Sequence, residues 1–241
     1  MTVKTVAIVQ ARMGSNRFPN KVMQPICGTP MIGLLLERLS RARHVDQIVL
    51  ATSSDPRNEP LAQYVRRLGF EVYRGSEDDV LDRYYQAAKM TRADVVVRIT
   101  GDCPLIGPEL VDAVIDKFME EEVDYASNTM PPTYPDGLDV EVFTFKALET
   151  AWNQAKDPLH REHVTSYIRE SKQFIRTNLA NETDNSGERW TVDEPEDLEV
   201  IRNVFEHFKP RRDFSWQEVL TLRQQHPELF VANRHLIRNE G

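Results

Sequence analysis

The chain predicts an α/β fold: a mixed, mostly parallel sheet flanked by helices, with a small helical extension at the C-terminus. Two observations carry this expectation. Over the first two-thirds of the 241 residues, short apolar β-branched runs alternate with amphipathic stretches, the pattern of a sheet with helices on both faces. A hydrophobic fraction of 40% and a charged fraction of 28% are ordinary for a soluble globular protein, and the length suits one large α/β domain or one and a half.

Residues 6–9 open the chain as a buried strand, and 30–39 follow as a helix with Ile32, Leu35, Leu36 and Leu39 on one face. A second strand spans 47–52 and ends in the turn-prone run Ser53-Ser54-Asp55-Pro56. The next helix places Leu61, Tyr64, Val65 and Leu68 on one side and stops at Gly69. Residues 70–73 read as a short strand, and 78–90 as a helix opened by an acidic first turn. The clearest strand, 94–100, runs directly into Gly101-Asp102-Cys103-Pro104. Pro108 starts a further helix, and 125–128 reads as another strand end.

From Pro131 the rhythm changes. A turn-rich loop leads into an alternating strand over 138–143, helices over 145–155 and 160–170, and a strand near 174–179. Residues 189–193 read as a last strand, followed by a helix to about Phe208 and a small helical appendage around Phe214, Trp216, Val219 and Leu220.

Charge is unevenly placed. The net charge is −8, yet the first 36 residues hold Lys4, Arg12, Arg17 and Lys21 and no Asp or Glu. A local positive site in an acidic protein suits a polyanionic small ligand and argues against nucleic acid as a partner. The apolar run at 6–9 is too brief for a signal peptide or a membrane span, and two cysteines, Cys27 and Cys103, fit a reducing compartment; the expectation is a cytoplasmic protein.

In open α/β sheets ligands sit outside the carboxyl ends of the strands, so chemistry is sought at Gln10, Thr52, Arg74 and Thr100. After the first strand, Gly14-Ser15 can present backbone N–H groups to phosphate oxygens, with Arg12, Arg17 and Lys21 adding charge. The plainer reading is a basic surface loop. Neither a Gly-x-Gly-x-x-Gly nor a Gly-Lys-Ser/Thr pattern is present, so a nucleotide would be held in some third way. Asp102, at a strand end, suits a magnesium ion shared with substrate phosphates, or caps the turn before Pro104. Asp193 is open to the same two readings, ligand or helix cap. His160 and His163 lack the spacing of a zinc pair, and Cys103 has no base partner and reads as packing.

Ala11-Arg-Met-Gly-Ser-Asn-Arg-Phe-Pro-Asn-Lys21 resembles the Ala-Arg-x-Gly-Ser-x-Arg-x-Pro-x-Lys signature of the cytidylyltransferases that activate acidic sugars. Thr100-Gly-Asp-Cys-Pro is similar to their magnesium-binding Asp segment, and Val192-Asp-Glu-Pro-Glu-Asp197 to their late Asp-x-Pro-Glu-Asp segment. The resemblance covers about 5–208. Tyr134 to Phe143, Arg161-Glu-His-Val-Thr and the end segment from Asn233 look like the spore coat polysaccharide biosynthesis protein F branch.

The resemblance implies a Rossmann-like sheet of nucleotide-diphospho-sugar transferase type. A nucleotidyltransferase domain would fill 1–208, its 125–190 part serving acceptor binding and homodimerisation, with the helical extension over 209–241. It implies attack of an acceptor oxygen on the α-phosphorus of CTP. Arg12, Arg17 and Lys21 would hold the triphosphate with the Gly14-Ser15 turn, and Asp102 and Asp193 would hold Mg2+. Gln10, Ala11, Arg74, Ser76 and Thr100 would line the nucleotide, Thr100 standing where the sugar-acid synthetases often have Gln. Asp139, Glu141, Arg161 and His163 would face a small acidic acceptor. Two rivals are a glycosyltransferase using a nucleotide-sugar donor, although 97–105 holds no Asp-x-Asp, and a nucleotide-binding protein without turnover.

Overall fold

The computed structural model describes residues 3–238. The strand β1 (Thr5–Gln10) lies inside a seven-stranded sheet, third from one edge. A short hairpin, β2 (Pro25–Ile26) and β3 (Thr29–Pro30), leads into helix α1 (Met31–Leu39). There follow β4 (Gln47–Ser53), α2 (Glu59–Arg67), β5 (Glu71–Gly75), α3 (Val80–Thr91), β6 (Val95–Thr100) and α4 (Pro108–Glu120). The second half adds β7 (Tyr125–Ser127), β8 (Glu141–Thr144), α5 (Phe145–Gln154), α6 (Pro158–Glu162), α7 (Ser166–Glu170) and β9 (Arg176–Asn178). Helices α8 (Pro195–Phe208) and α9 (Trp216–Gln225) complete it.

The order across the sheet is β5-β4-β1-β6-β8-β7-β9. Strand β1 pairs parallel with β4 and β6, whereas β8 runs antiparallel to both of its neighbours. This is the mixed, mostly parallel α/β sheet that the alternation of runs predicts. Because strand side chains alternate between faces, Ala7 and Val9 pack under α1, α4 and α8, while Val6 and Ile8 pack under α3 and α5. Both faces are covered, which is why β1, β4 and β6 read as continuous apolar runs. The carboxyl ends of β1 and β6 lie side by side, with Gln10 opposite Thr100.

Several elements differ from the expectation. Residues 189–193 join no named strand; the segment is tied by an isolated bridge from Arg189 to Asp136 and by the Val192 N–H donating to the Asp102 carbonyl at 2.9 Å. The strand expected over 138–143 begins at Glu141, because the Asn128 side chain takes the ladder positions before it, accepting from the Val140 N–H and donating to the Leu138 carbonyl. The single helix expected over 160–170 is two, broken where buried Val164 adopts a left-handed φ of 58°, a conformation costly for a β-branched residue. The appendage is part of the main core: Phe214, Trp216, Val219 and Leu222 belong to the same apolar cluster as α1, α4 and α8. Buried Arg38 in α1 fastens it there by donating to the carbonyls of Arg212 and Phe214 at 2.7 and 3.0 Å.

Candidate active site

The site is built where β1 and β6 end. After β1 the chain is pinned twice: the Met13 N–H donates to the Asn58 carboxamide at 2.7 Å, and the Asn20 N–H donates to the Met13 carbonyl at 2.9 Å. A short 3-10 turn, Lys21–Met23, then turns the Lys21 side chain inward. After β6, the Gly101 N–H donates to the Gln10 carbonyl at 2.7 Å. A Cβ there would lie 2.6 Å from the Ala11 Cβ, so only glycine lets the two strand ends approach this closely.

Lys21 joins the two aspartates. Its Nζ donates to Asp102 Oδ2 at 2.9 Å and to Asp193 Oδ1 at 2.8 Å. Burial works against the ammonium, but the two carboxylates outweigh it and leave the Lys21 pKa raised. Desolvation likewise opposes the Asp102 carboxylate, and Lys21 and Thr100 overcome it, leaving its pKa lowered. Both partners are ionised at neutral pH. Arg17 adds a second cation, its Nη2 at 3.1 Å from Asp193 Oδ1.

These residues rim a cavity of about 310 Å³. The sequence-predicted Gln10, Ala11, Arg12, Ser15 and Arg17 line it from the β1 side, and Lys21, Thr100, Asp102 and Asp193 close it. A second cavity of about 230 Å³ shares Gln10 and Arg12 with the first and extends under the start of α3. His163 lines this one, with Arg83, Arg98 and Glu77. Among the described residues, six buried side-chain polar atoms lack a partner, and four of them belong to this lining: Gln10 Oε1, Glu77 Oε2, Arg83 Nε and Arg98 Nε. Polar atoms left unpaired in this way point to a ligand or to water.

Other predicted residues are placed apart from both cavities. Arg74 is engaged by Glu59 and donates to the carbonyls of Ser53, Ser54 and Asp55, bracing the turn after β4. The Ser76 hydroxyl accepts from the Asp79 N–H at 3.0 Å, and Gly14 lies beside Arg57 and Glu77. Glu141 is buried and accepts from Arg98 and from the hydroxyls of Tyr125 and Thr165, each at 2.6 Å. Arg161 forms a two-pronged pair with Asp79 and donates to the Trp152 carbonyl at 2.7 Å. Asp139 meets Arg238 of the C-terminal segment at 2.7 Å.

Residues not singled out by sequence shape the site as strongly. Asp197 is fully buried; its oxygens accept from Arg189 Nε and Nη2 at 2.8 and 2.9 Å and from the N–H groups of Asp193 and Glu194. Helix α8 begins here with a capping box formed by Glu194 and Asp197. Arg98 carried a usable signal, a charged residue inside the apolar run Val-Val-Val-Arg-Ile, and Asp197 one as the last residue of the Asp-Glu-Pro-Glu-Asp segment; Arg189 carried none that is local.

A family model described as Cytidylyltransferase matches residues 6–234. Spore coat polysaccharide biosynthesis protein SpsF of Bacillus subtilis is 32% identical over 229 residues, 92% of this chain and 94% of that protein. Among solved structures, a cytidylyltransferase from Leptospira borgpetersenii superimposes with a TM-score of 0.91 at 31% identity, covering 95% of this chain and 97% of the other. CMP:2-keto-3-deoxy-manno-octonic acid synthetase complexed with CTP superimposes at 0.67 with 20% identity, covering 85% and 99%, a likeness of fold alone. Matched along most of its length by both sequence and structure, the chain belongs to the cytidylyltransferase family and is a nucleotidyltransferase.

Proposed function

We propose that this protein transfers a cytidylyl group from CTP to an oxygen of a small acidic acceptor, a sugar acid or sugar phosphate, releasing pyrophosphate in surface-glycan synthesis. The observation that carries the reading is the convergence of Lys21, Asp102 and Asp193 at the mouth of a cavity lined by Arg12 and Arg17. Triphosphate and cation need opposite charges side by side, and this rim has both.

Two carboxylates that already enclose one cation, Lys21 Nζ, fit a magnesium ion by their chemistry: the donors are oxygens, and Mg2+ is typically held by one or two carboxylates plus substrate phosphates. Among the described residues no group of three or more His, Cys, Asp or Glu forms a closed cage, which suits an ion that arrives with its nucleotide. Asp102 and Asp193 would hold it, and when bound it would neutralise phosphate charge and polarise the α-phosphate. Arg12, Arg17, Lys21 and the turn at Ser15 bind and orient the triphosphate, so catalysis rests on positioning and electrostatics. Gln10, Ala11 and Thr100 serve the nucleoside. The second cavity takes the acceptor, whose anionic group meets Arg83, Arg98 and His163.

The names of relatives support this reading: SpsF is described by polysaccharide biosynthesis, and the octonic acid synthetase was solved with CTP. We infer a homodimer through the 125–190 part, where Leu159 and Ile175 are 60% and 64% exposed, and a cytoplasmic site of action. Sedimentation showing monomer alone would remove the dimer.

The test is magnesium-dependent pyrophosphate release from CTP across a panel of acidic acceptors. Asp102→Asn is expected to lower turnover by about a hundredfold or more with the fold intact. Unchanged turnover sinks the metal assignment, and thermal stabilisation by UDP-sugars but not by CTP replaces the reading with a glycosyltransferase.

A further inference from the structure

Asp193 is oriented from behind by groups that do not face the cavity. Its N–H donates to Asp197 Oδ2 at 2.9 Å, and its Oδ2 lies 3.4 Å from Arg189 Nη2. Arg189 and Asp197 are locked together by two bonds, so whatever fixes this pair fixes Asp193. The residues that fix it come from the last stretch of the described chain. Asn233 Nδ2 donates to Asp197 Oδ1 at 2.9 Å and to the Arg189 carbonyl at 3.1 Å, joining both members of the pair with one buried carboxamide. The Ile237 carbonyl accepts from Arg189 Nη1 at 3.2 Å. Arg238 anchors that carbonyl by donating to Asp139 Oδ1 at 2.7 Å and to the Tyr134 carbonyl at 3.3 Å.

Packing alone would not require this chemistry. Asn233 spends its amide on two polar atoms at the floor of the site, and a buried carboxylate such as Asp197 needs every donor it has. We propose that residues 233–238 act as a positioning clamp, holding the Arg189–Asp197 pair so that Asp193 is aimed at the divalent cation. Asn233 and Arg238 are positioning residues, since neither touches substrate. The clamp makes cation affinity depend on the C-terminal segment and leaves the basic contacts to the triphosphate unaffected. The assignment rests on the reading of Asp193 as a cation ligand.

The measurement is the factor by which MgCl2 tightens CTP binding over its affinity in EDTA, obtained by titration calorimetry on the full chain. Groups that orient metal ligands typically cost about 10- to 100-fold in metal affinity when removed. Asn233→Ala is expected to cut the magnesium factor by about tenfold and to leave CTP affinity in EDTA unchanged. Arg238→Ala is expected to act in the same direction, and Arg238→Lys to restore it. A simple packing role would lower thermal stability without altering the magnesium factor. Should Asn233→Ala fail to fold, Arg238→Ala, whose side chain is only partly buried, carries the test. Asp193→Asn distinguishes the premises. If it loses the magnesium factor while the Asn233 and Arg238 variants keep theirs, the clamp is overturned; if it keeps the factor, the ligand assignment falls and takes the clamp with it.

Discussion

Replacing Lys21 by methionine keeps the length of the side chain and removes the charge between Asp102 and Asp193. The two contacts it makes, 2.9 and 2.8 Å, place the facing carboxylate oxygens less than about 6 Å apart. At an effective dielectric of about 20, two bare carboxylates at that distance repel by about 3 kcal/mol. Solvent reduces this, because the Asp102 side chain is 25% exposed, while the lost hydrogen bonds add to it. The expected loss of stability is about 2–3 kcal/mol, and for a chain of this size it lowers Tm by roughly 4–12 °C. Differential scanning fluorimetry at constant ionic strength reads the loss. The same assay carries the sharper outcome: MgCl2 without nucleotide stabilises Lys21→Met more than the wild type, because the cation substitutes for the missing ammonium. Equal responses of the two proteins to MgCl2 would refute the reasoning, as would an unchanged Tm.

Two further outcomes follow from the geometry. Burial, with the neighbouring charge of Asp139, pushes the Asp136 carboxyl up to about 6. A carboxyl whose pKa is raised on folding favours the folded state below its unfolded value and loses that contribution as pH rises through 6, so Asp136→Asn gains about 2 kcal/mol on the wild type between pH 4 and pH 7 by urea unfolding; a pH-independent difference contradicts this. Gly101→Ala brings a Cβ to 2.6 Å from the Ala11 Cβ and 2.9 Å from the Gln10 carbonyl. A destabilisation of about 1–3 kcal/mol is expected by denaturant titration, and Ala11→Gly in the same chain restores only part of it, because the backbone contact persists. Full restoration would show that the side-chain contact is the whole cost.

The parallel half of the sheet was legible because its strands are buried on both faces and leave apolar runs, as in β1 and β6. Legibility failed where side chains or long-range bonds replace the ladder. Asn128 imitates a strand neighbour for Val140, and Val164 breaks a helix that periodicity alone would continue. In the site, Asp102 stands at the turn after β6, so its position could be reasoned from local pattern; Lys21 and Asp193 were assigned through the cytidylyltransferase signatures, Asp193 at the end of a segment that forms no strand. Glu141 and Arg161 could be picked out as polar residues, but not assigned partners. Arg98, Tyr125 and Thr165 claim the first, and Asp79 claims the second across 82 positions. The Arg189–Asn233 contact spans 44 positions and joins segments whose proximity only the folded core decides.

The bond from the Val192 N–H to the Asp102 carbonyl joins the end of β6 to a segment that follows it by ninety residues in the chain. Strands β1, β4, β5 and β6 are complete well before that segment leaves the ribosome, and N-terminal parts generally fold first during synthesis. A nascent chain released after α4 thus has the central strands and the basic loop but only one of the two aspartates. Such closure of long loops is slow relative to local pairing. On the proposed reading of the site, cation-dependent binding of nucleotide would be an end-point reporter: it would register the arrival of the last third of the polypeptide, not the formation of the sheet.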